Sequence, residues 1–394
     1  MASVDKKQHI IDVAVSVLSR KGKKATISEI AAAAGVNDSV IYHYFKNKTD
    51  LLFYAAAQSL KERLVDLERY LAGIREPVSR LSKLIWYQLN YHDDEPEYAK
   101  FTIFDSRAHR DFFRHEGSEY FLHWIIKLND ILKDGIRGGN FSPDISVSVV
   151  NAMIFGLLDM ENILVFTGKR GTSAKDDFDD ILNLVLSILK YDEKEKSSKA
   201  DNKKKMIVSA SEKIFSENGF EESTTIDIAQ ASGVAEGTLY EYFNSKEEML
   251  FSGMSNHFIA HTNSAKKILA ASDPVEKLSR FIKDNYFLYL REPFFARNFI
   301  AGGIYNESFY YSPAYEDFAA YMETMDIILD EGKREGLFRP EINNRIFKNL
   351  FIGCFSHIML RWFNSSPQAY FDTIRAIDWT VTLLLRAALL KSKK

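Results

Sequence analysis

Cysteine is almost absent from this sequence of 394 residues, in which Cys354 is the single example. One cysteine excludes an internal disulfide framework and a metal cage built from cysteines, and it suits a reducing compartment such as the cytoplasm. Because Cys354 follows a glycine within an apolar run, we expect a small buried side chain there. The charged residues Lys6, Lys7 and Asp12 interrupt the first apolar residues, which is unlike a secretory signal peptide.

Uninterrupted apolar runs and an excess of basic charge are also missing. The most apolar stretch, Met153 to Phe166, contains Asp159 and Glu161, so it predicts a buried helix and no membrane span. A net charge of −3 argues against a protein that coats nucleic acid, and any DNA binding must come from local patches. The composition, 46% hydrophobic and 27% charged, is typical of a soluble globular protein, and the length allows two or more domains.

Motifs for catalysis are missing as well. The sequence contains no nucleophile elbow, phosphate-binding loop or paired acid motif, so we expect neither enzyme activity nor a cofactor. His257 and His261 stand four residues apart on a predicted helix and could share a metal ion. Since no acid or third histidine lies in an obvious register with them, we expect no metal site.

What the sequence does contain is one long internal repeat. The stretch from Thr26 to Leu52 returns 198 positions later as Thr224 to Leu250. A repeat of about half the chain is too long for a solenoid unit, so it indicates two fused copies of one domain. The residues identical in both copies are, in the numbering of the first, Thr26, Ile30, Ala31, Ala33, Gly35, Val36, Tyr42, Tyr44, Phe45, Lys48 and Leu52.

Each copy of the repeat has the pattern of a helix-turn-helix. Thr26 with Glu29 fits a capping box, and Gly35 stands where a left-handed residue ends a helix and turns the chain. A second short helix follows, with Ile41 and Phe45 on its inner side. Its outward residues at the start are those that reach base edges in a major groove. An ordinary helical hairpin is the alternative, which the second matched copy makes less favoured.

This order of residues resembles the DNA-binding head of the TetR/AcrR family of transcriptional regulators, present twice. The first copy departs from the family pattern by lacking an aromatic residue after Gly22, by being one residue shorter there, and by reading Asn37-Asp38-Ser39-Val40. Its operator preference is therefore expected to be unusual. The second copy matches nearly throughout, at Gly219, Phe220, Thr224, Ile228, Ala229, Gly233, Val234, Gly237, Thr238, Leu239, Tyr240, Tyr242, Phe243, Lys246 and Leu250.

The outward positions and the resemblance together predict the residues that contact DNA. Lys48 and Lys246 stand at a predicted helix start, where a lysine can bind a phosphate, although a lysine there can also be plain solvated surface. The predicted contacts are Thr26, Asn37, Asp38, Ser39, Val40, Tyr42, His43, Lys46 and Lys48 in the first head, and Thr224, Ala235, Glu236, Gly237, Thr238, Tyr240, Glu241 and Lys246 in the second.

The two heads differ in charge. Residues 1–53 carry eight basic and five acidic side chains, a balance of +3, whereas residues 199–251 carry six and ten, a balance of −4. Glu241 also replaces His43, and phosphate repels a carboxylate. We therefore expect an imperfect palindrome as the DNA partner, with the first head supplying more of the affinity.

The duplication extends beyond the heads, because the glycine, phenylalanine and proline pattern after Gly135 recurs 197 positions later after Gly332. We predict an all-α chain with a head at 1–53, a helical core at 54–190, a polar linker at 191–205, a second head at 206–251 and a second core at 252–394. Apolar helices end both copies, so we expect one chain to form a pseudo-dimer by pairing them. A true homodimer of two chains is the alternative.

Aromatic residues make up 13% of the sequence and concentrate in the two cores. They could line a cavity for a small hydrophobic effector, for which the resemblance suggests an acyl-CoA-like or aromatic compound, or they could simply pack a core. The sequence thus favours a repressor released by a ligand, against a helical binding or scaffold protein with degenerate heads. The candidate cavity residues are Trp86, Phe101, Phe104, Phe121, Trp124, Tyr286, Phe287 and Phe299.

Overall fold

The computed structural model describes residues 2–106, 112–189, 214–216, 219–220, 222–232, 245–270, 273–363 and 369–390. Within those ranges the secondary structure is helical, and the one β feature is an isolated bridge between Phe338 and Leu389. The predicted all-α fold is therefore confirmed.

The helices follow the same order in both copies. In the first copy they are α1 (Ala2–Lys21), α2 (Ile27–Ala33), α3 (Asp38–Tyr44), α4 (Lys48–Leu71), α5 (Pro77–Asp94), α6 (Pro96–Lys100), α7 (Glu119–Arg137), α8 (Val147–Phe166) and α9 (Phe178–Ile188). In the described part of the second copy they are α10 (Thr225–Ser232), α11 (Lys246–Leu269), α12 (Pro274–Arg291), α13 (Pro293–Asn298), α14 (Pro313–Arg334), α15 (Asn344–Phe363) and α16 (Ala369–Ala388).

Local signals in the sequence begin these helices at equivalent places. Helix α4 follows Asn47, whose side-chain oxygen accepts a hydrogen bond from the amide of Asp50 at 2.9 Å. Helix α11 follows Ser245, whose hydroxyl accepts from the amide of Glu248 at 3.0 Å. Both caps satisfy amides that have no partner within the helix. Helices α5 and α12 each begin at a proline and each span 18 residues.

The repeated glycine and phenylalanine pattern marks a tight contact in each copy. A Cβ atom on Gly135 would lie 2.0 Å from the ring of Phe141, and one on Gly332 would lie 2.1 Å from the ring of Phe338. Glycine is needed at both places because the ring packs directly on the helix backbone. The same packing occurs 197 residues apart, as the sequence predicts.

The chain divides into two compact units that do not coincide with the two copies. The first unit contains Met1–Pro143 and Glu161–Phe178, and the second contains Asp144–Met160 and Asp179–Lys394. The second unit therefore holds the beginning of α8 and nearly all of α9 from the first copy, together with α15 and α16 from the second. Helices that end both copies share one core.

Within the second unit, α8 and α15 touch through their backbones. A Cβ atom on Gly156 would lie 2.2 Å from the carbonyl carbon of Gly353, and one on Gly353 would lie 2.1 Å from the carbonyl carbon of Gly156. Helices approach this closely only where side chains are absent. These two glycines are the equivalent residues of the two copies, so the crossing is formed by matching surfaces.

Helix α8 is long and apolar enough to cross a membrane, with a mean hydropathy of 1.7 over its most apolar window. Of that window, 89% is buried within the protein. It is thus a core helix, as its two acidic residues predict.

The glycine contact predicts a large effect of one methyl group. Gly156→Ala places a Cβ atom against a backbone that cannot rotate away, and overpacking of this kind costs about 1–3 kcal/mol. We expect the free energy of unfolding, measured with urea, to fall by that amount. Gly171→Ala is the matched control, since a Cβ atom there meets nothing within 4 Å. Equal stability of the two variants would contradict the close crossing.

Candidate nucleic-acid interface and helical cores

The head of the first copy is a three-helix unit with a core of its own. Ile10, Ala14 and Leu18 of α1 pack with Ile30 of α2 and Ile41 of α3, and all five are fully buried. The helical spacing in α1 predicts this face. The core holds α2 and α3 in fixed positions, which leaves their outer sides for other contacts.

The predicted capping box begins α2. The amide of Glu29 donates to the Thr26 hydroxyl at 3.2 Å, and the amide of Thr26 donates to the Glu29 carboxylate at 3.0 Å. The ammonium of Lys21 lies 2.6 Å from the same carboxylate, and this contact, followed by the Thr26 amide, lowers the pKa of Glu29 to about 2. Because the pKa is lowered in the folded head, the stabilisation is present above pH 4.5 and is lost as the pH falls toward 2.

The turn and the second helix present the predicted outer face. Gly35 has a φ of 66°, the left-handed conformation that ends α2. In α3, Tyr42 is 57% exposed, and Ser39 and His43 are exposed beside it. Val40 is half-buried toward the core. Of these predicted DNA contacts on α3, Ser39, Tyr42 and His43 are therefore exposed, and Val40 faces inward.

Polar contacts fix the ends of α3. Asn37 is exposed and its side chain makes no capping hydrogen bond, whereas the Asp38 carboxylate accepts from the Ser28 hydroxyl at 2.5 Å and so ties α3 to α2. After α3, Lys46 is exposed and Lys48 is half-buried at the first turn of α4. Asp38 is therefore engaged within the head.

A link between the head and the core of the first copy was not predicted from the sequence. The Asp50 carboxylate accepts from the amide of Lys46 at 2.8 Å, and its other oxygen lies 3.1 Å from Nε2 of His115. Tyr54 forms a hydrogen bond with Glu116, and its ring contacts that of His115 at 4.6 Å between centroids. More than 60 residues separate Asp50 from His115 and Tyr54 from Glu116, so no local pattern could reveal these contacts.

The second head repeats the capping arrangement. The amide of Asp227 donates to the Thr224 hydroxyl at 3.1 Å, and the amide of Thr224 donates to the Asp227 carboxylate at 3.0 Å. The Thr224 hydroxyl, followed by its amide, lowers the pKa of Asp227. The remaining candidates of this head lie outside the described residues, except Lys246: Ala235, Glu236, Gly237, Thr238, Tyr240 and Glu241.

Lys246 is engaged inside the head. Its ammonium donates to the carbonyl oxygens of Phe220 and Ser223, the latter at 2.9 Å, and lies 4.4 Å from the centre of the Phe220 ring. Phe220 is the aromatic residue that the first copy lacks after Gly22. The geometry gives this lysine a role in holding the loop before α10. A phosphate contact by Lys246 stays a prediction.

The candidate cavity residues do not share one wall. Phe101 belongs to the apolar cluster of the first head, and Phe121 packs against that cluster. Trp124 stacks on Tyr87 and donates to the carbonyl oxygen of Leu60 at 3.3 Å. Trp86 is half-buried beneath the ammonium of Lys83, 4.2 Å away. Phe104 is buried as well.

In the second core, the predicted rings also occupy separate positions. Tyr286 is fully buried and contacts the rings of Phe351 and Phe355. Phe299 lies in another aromatic cluster, stacked on Phe295 at 5.9 Å. Phe287 is half-buried. The rings thus contact other side chains of the cores, and a ligand cavity lined by them stays a prediction.

The two cores carry different polar side chains at one equivalent place. In the first, the Arg63 guanidinium lies 3.5 Å from the centre of the Tyr91 ring and 2.6 Å from the Glu95 carboxylate. In the second, the matching residue is His261, whose ring lies 5.9 Å from that of Phe295. No local pattern predicts the position of Arg63, since a lone arginine on a helix is usually exposed.

Two family models match the chain, and each matches it twice. The model described as "Bacterial regulatory proteins, tetR family" covers residues 10–55 and 207–252. The model described as "YsiA-like protein, C-terminal region" covers residues 58–167 and 316–387. The chain belongs to the TetR family. Both the resemblance and the tandem duplication are thereby confirmed, and the protein is a ligand-responsive, DNA-binding transcriptional regulator.

Individual TetR-family relatives each correspond to about half of the chain. The fatty acid metabolism regulator protein of Bacillus subtilis is 28% identical over 155 residues, which are 39% of this chain and 80% of that protein. The repressor KstR2 of Mycolicibacterium smegmatis is 25% identical over 157 residues, 38% of this chain and 74% of its own. Among solved structures, FadR from Bacillus subtilis in complex with stearoyl-CoA is 25% identical and covers 46% of this chain and 97% of its own, with a TM-score of 0.41.

The engagement of Lys246 predicts a stability effect in the second TetR-type head. Lys246→Met removes hydrogen bonds from a charged donor, each worth about 1.5–3 kcal/mol. We expect faster hydrogen exchange of the α10 amides. Phe220→Leu is the matched control, because it removes the ring contact and leaves both carbonyl acceptors. Unchanged exchange in Lys246→Met would show that the lysine does not hold this loop.

Proposed function

We propose that this chain is a cytoplasmic repressor that binds one operator with both of its heads and leaves it when a hydrophobic small molecule binds. The observation that carries the DNA-binding part is the outer face of α3. Ser39, Tyr42 and His43 are exposed there on a helix whose inner side is fixed by Ile41 and Phe45. A helix of a helix-turn-helix held in this way enters a major groove with such residues at the base edges.

Phosphate contacts complete the proposed surface. Lys46 is exposed directly after α3, and Lys48 begins α4, where helix amides and dipole favour a phosphate. Thr26 is exposed at the start of α2 and suits a backbone contact. Binding should weaken steeply with salt because these contacts release counterions.

The proposed DNA partner is double-stranded and only imperfectly palindromic. The first head is the more basic of the two, and its residues 37–43, apart from Tyr42, differ from those at the matching positions of the second. Two recognition helices with different outward residues require two half-sites of different sequence. We assign most of the affinity to the first head.

One chain supplies both halves of the regulator in this proposal. The crossing of α8 and α15 at Gly156 and Gly353 supports it, because helices of both copies bury one another inside a single compact unit. The polar stretch 191–205 is long enough to tether the copies, and tethering raises their local concentration. A homodimer of two chains with four heads is the competing arrangement.

The proposed effector is a fatty acyl or aromatic compound. The name of the Bacillus subtilis relative, a fatty acid metabolism regulator, supports the acyl class. In the first core, Arg63 and Gln88 add polar groups that suit a ligand with an anionic or amide head group. The second core is richer in packed rings, so we place the effector in the first.

His115 is the proposed connection from effector to DNA. It lies on the core side of the first copy and contacts Asp50, whose carboxylate holds the amide of Lys46 at the end of α3. A shift of His115 would therefore move the phosphate-binding turn. At the matching position, the second copy has Ser312.

The test of the proposed function compares matched changes in the two heads. Tyr42→Ala with His43→Ala alters the first head, and Tyr240→Ala with Glu241→Ala alters the second. Binding to the promoter region of the protein's own gene is measured by fluorescence anisotropy. We expect the first pair to weaken binding by at least about tenfold, since base contacts are worth ~1–3 kcal/mol each, and the second pair to weaken it less.

Helical content measured by circular dichroism serves as the folding control for both pairs. Equal losses would contradict the unequal heads. No loss from either pair would remove α3 from the interface. No salt-dependent binding by the unaltered chain would favour the scaffold protein with degenerate heads.

The proposed link makes a separate prediction for His115. His115→Ala should keep DNA binding but reduce the release caused by a long-chain acyl-CoA added to the complex, measured as anisotropy. His123→Ala is the matched control, because that side chain is exposed on α7. Equal release from both variants would show that His115 does not transmit the signal.

A further inference from the structure

Several polar contacts join the end helices of the two copies. His357 of α15 lies with Nε2 2.8 Å from the Asp159 carboxylate of α8. The Asp159 side chain is 2% exposed and that of His357 is 11% exposed, so this pair is buried. It lies one turn from the crossing of Gly156 and Gly353, where the two backbones touch.

Arginines of the second copy donate further hydrogen bonds to acceptors in the first copy. The guanidinium of Arg361 donates to the carbonyl oxygen of Ser148 at 3.1 Å, and that of Arg386 donates to the carbonyl oxygen of Ile188 at 3.3 Å. Arg339 donates to the Ser187 hydroxyl at 3.0 Å. The second copy thus supplies cations, and the first supplies acceptors.

The duplication identifies what stands at the reverse positions. The offset that relates Gly156 to Gly353 relates Asp159 to Ser356 and Met160 to His357. It also relates Leu164 to Arg361. Exchange of the two copies therefore does not reproduce the contact between Asp159 and His357, because it brings Ser356 toward Met160. The contact can form once, and only between one copy of each kind.

We infer that the surface of α8 around Asp159 selects helix α15 of a second copy as its partner and rejects a pairing of like copies. Two first copies would place the buried Asp159 carboxylate against Met160 and lose its histidine partner. Two second copies would place His357 beside Ser356 and bring cationic surfaces together. Removing one partner of a largely buried hydrogen bond leaves the other polar group unsatisfied, which is destabilising, so both like pairings are disfavoured.

The consequence for the regulator is that its two unlike heads are always presented together. A like pairing would give two identical heads and would suit a perfect palindrome. The mixed pairing keeps one basic and one acidic head in each assembly. This inference rests on the intrachain pairing proposed above, but it does not depend on the effector or on any DNA sequence.

The test starts from the folded full-length chain. A site for a specific protease is inserted into the 191–205 stretch, and the purified chain is cut there. Isotope-labelled and unlabelled cut samples are mixed, and native mass spectrometry resolves the pairs, because the two halves differ in mass. After exchange, pairs of one first copy with one second copy should exceed pairs of two first copies or of two second copies by about 100-fold. Pairs of all three kinds in statistical proportions would overturn the inference.

Matched variants of the cut chain separate charge pairing from general packing. Met160→His with Ser356→Asp gives each copy both members of the pair, so like pairs should appear. Adding Asp159→Ser and His357→Met reverses the original direction, and mixed pairs should dominate again. Like pairs at the same level in all three chains would show that the Asp159 and His357 contact does not select the partner.

If the cut halves do not exchange, a second measurement on the uncut chain tests whether Asp159 and His357 interact. Asp159→Asn and His357→Gln are made singly and together, and urea unfolding is followed by fluorescence. If the contact selects the partner, the double variant loses no more stability than the worse single variant. Additive losses would show that the two side chains do not interact and would overturn the inference.

Discussion

The close approach of Gly156 and Gly353 is the contact on which the arrangement of this chain depends. A methyl group on either glycine would overlap the opposite backbone, so the crossing of α8 and α15 exists only because both copies retain glycine there. Because the two helices are this close, the side chains of Asp159 and His357, one turn from the glycines, form a hydrogen bond. Helices from both copies can then bury their apolar faces in one compact unit, which neither copy contains alone.

Duplication gave two copies the same framework, and divergence gave them different surfaces. The capping boxes at Thr26 and Thr224 have the same geometry, and equivalent prolines begin equivalent helices. The polar groups that connect elements have changed. The hydrogen bond between Asp50 and His115 is found in the first copy, and the contact of the Lys246 ammonium with Phe220 is found in the second. Two copies that are joined in one chain can diverge in this way while each keeps the TetR-family framework.

The sequence predicts the framework because the framework depends on local signals. Thr26 with Glu29, the glycine that turns the chain at Gly35 and the repeated ring contact at Phe141 all act within a few residues. It does not predict the contacts between distant residues. Arg63 is half-buried because the ring of Tyr91 on α5 and the carboxylate of Glu95 just after that helix contact it. An aromatic residue type alone does not distinguish a ring that lines a cavity from one that packs a core, so the candidate cavity residues stay a prediction.

If a single chain is the complete two-headed regulator, as proposed, the mass of its DNA complex should show it. Light scattering coupled to size exclusion measures that mass for the chain alone and for the chain bound to its operator. We expect 45.2 kDa for the free protein and one chain for each operator duplex at every concentration. A mass of two chains, both free and bound at all dilutions, would contradict it.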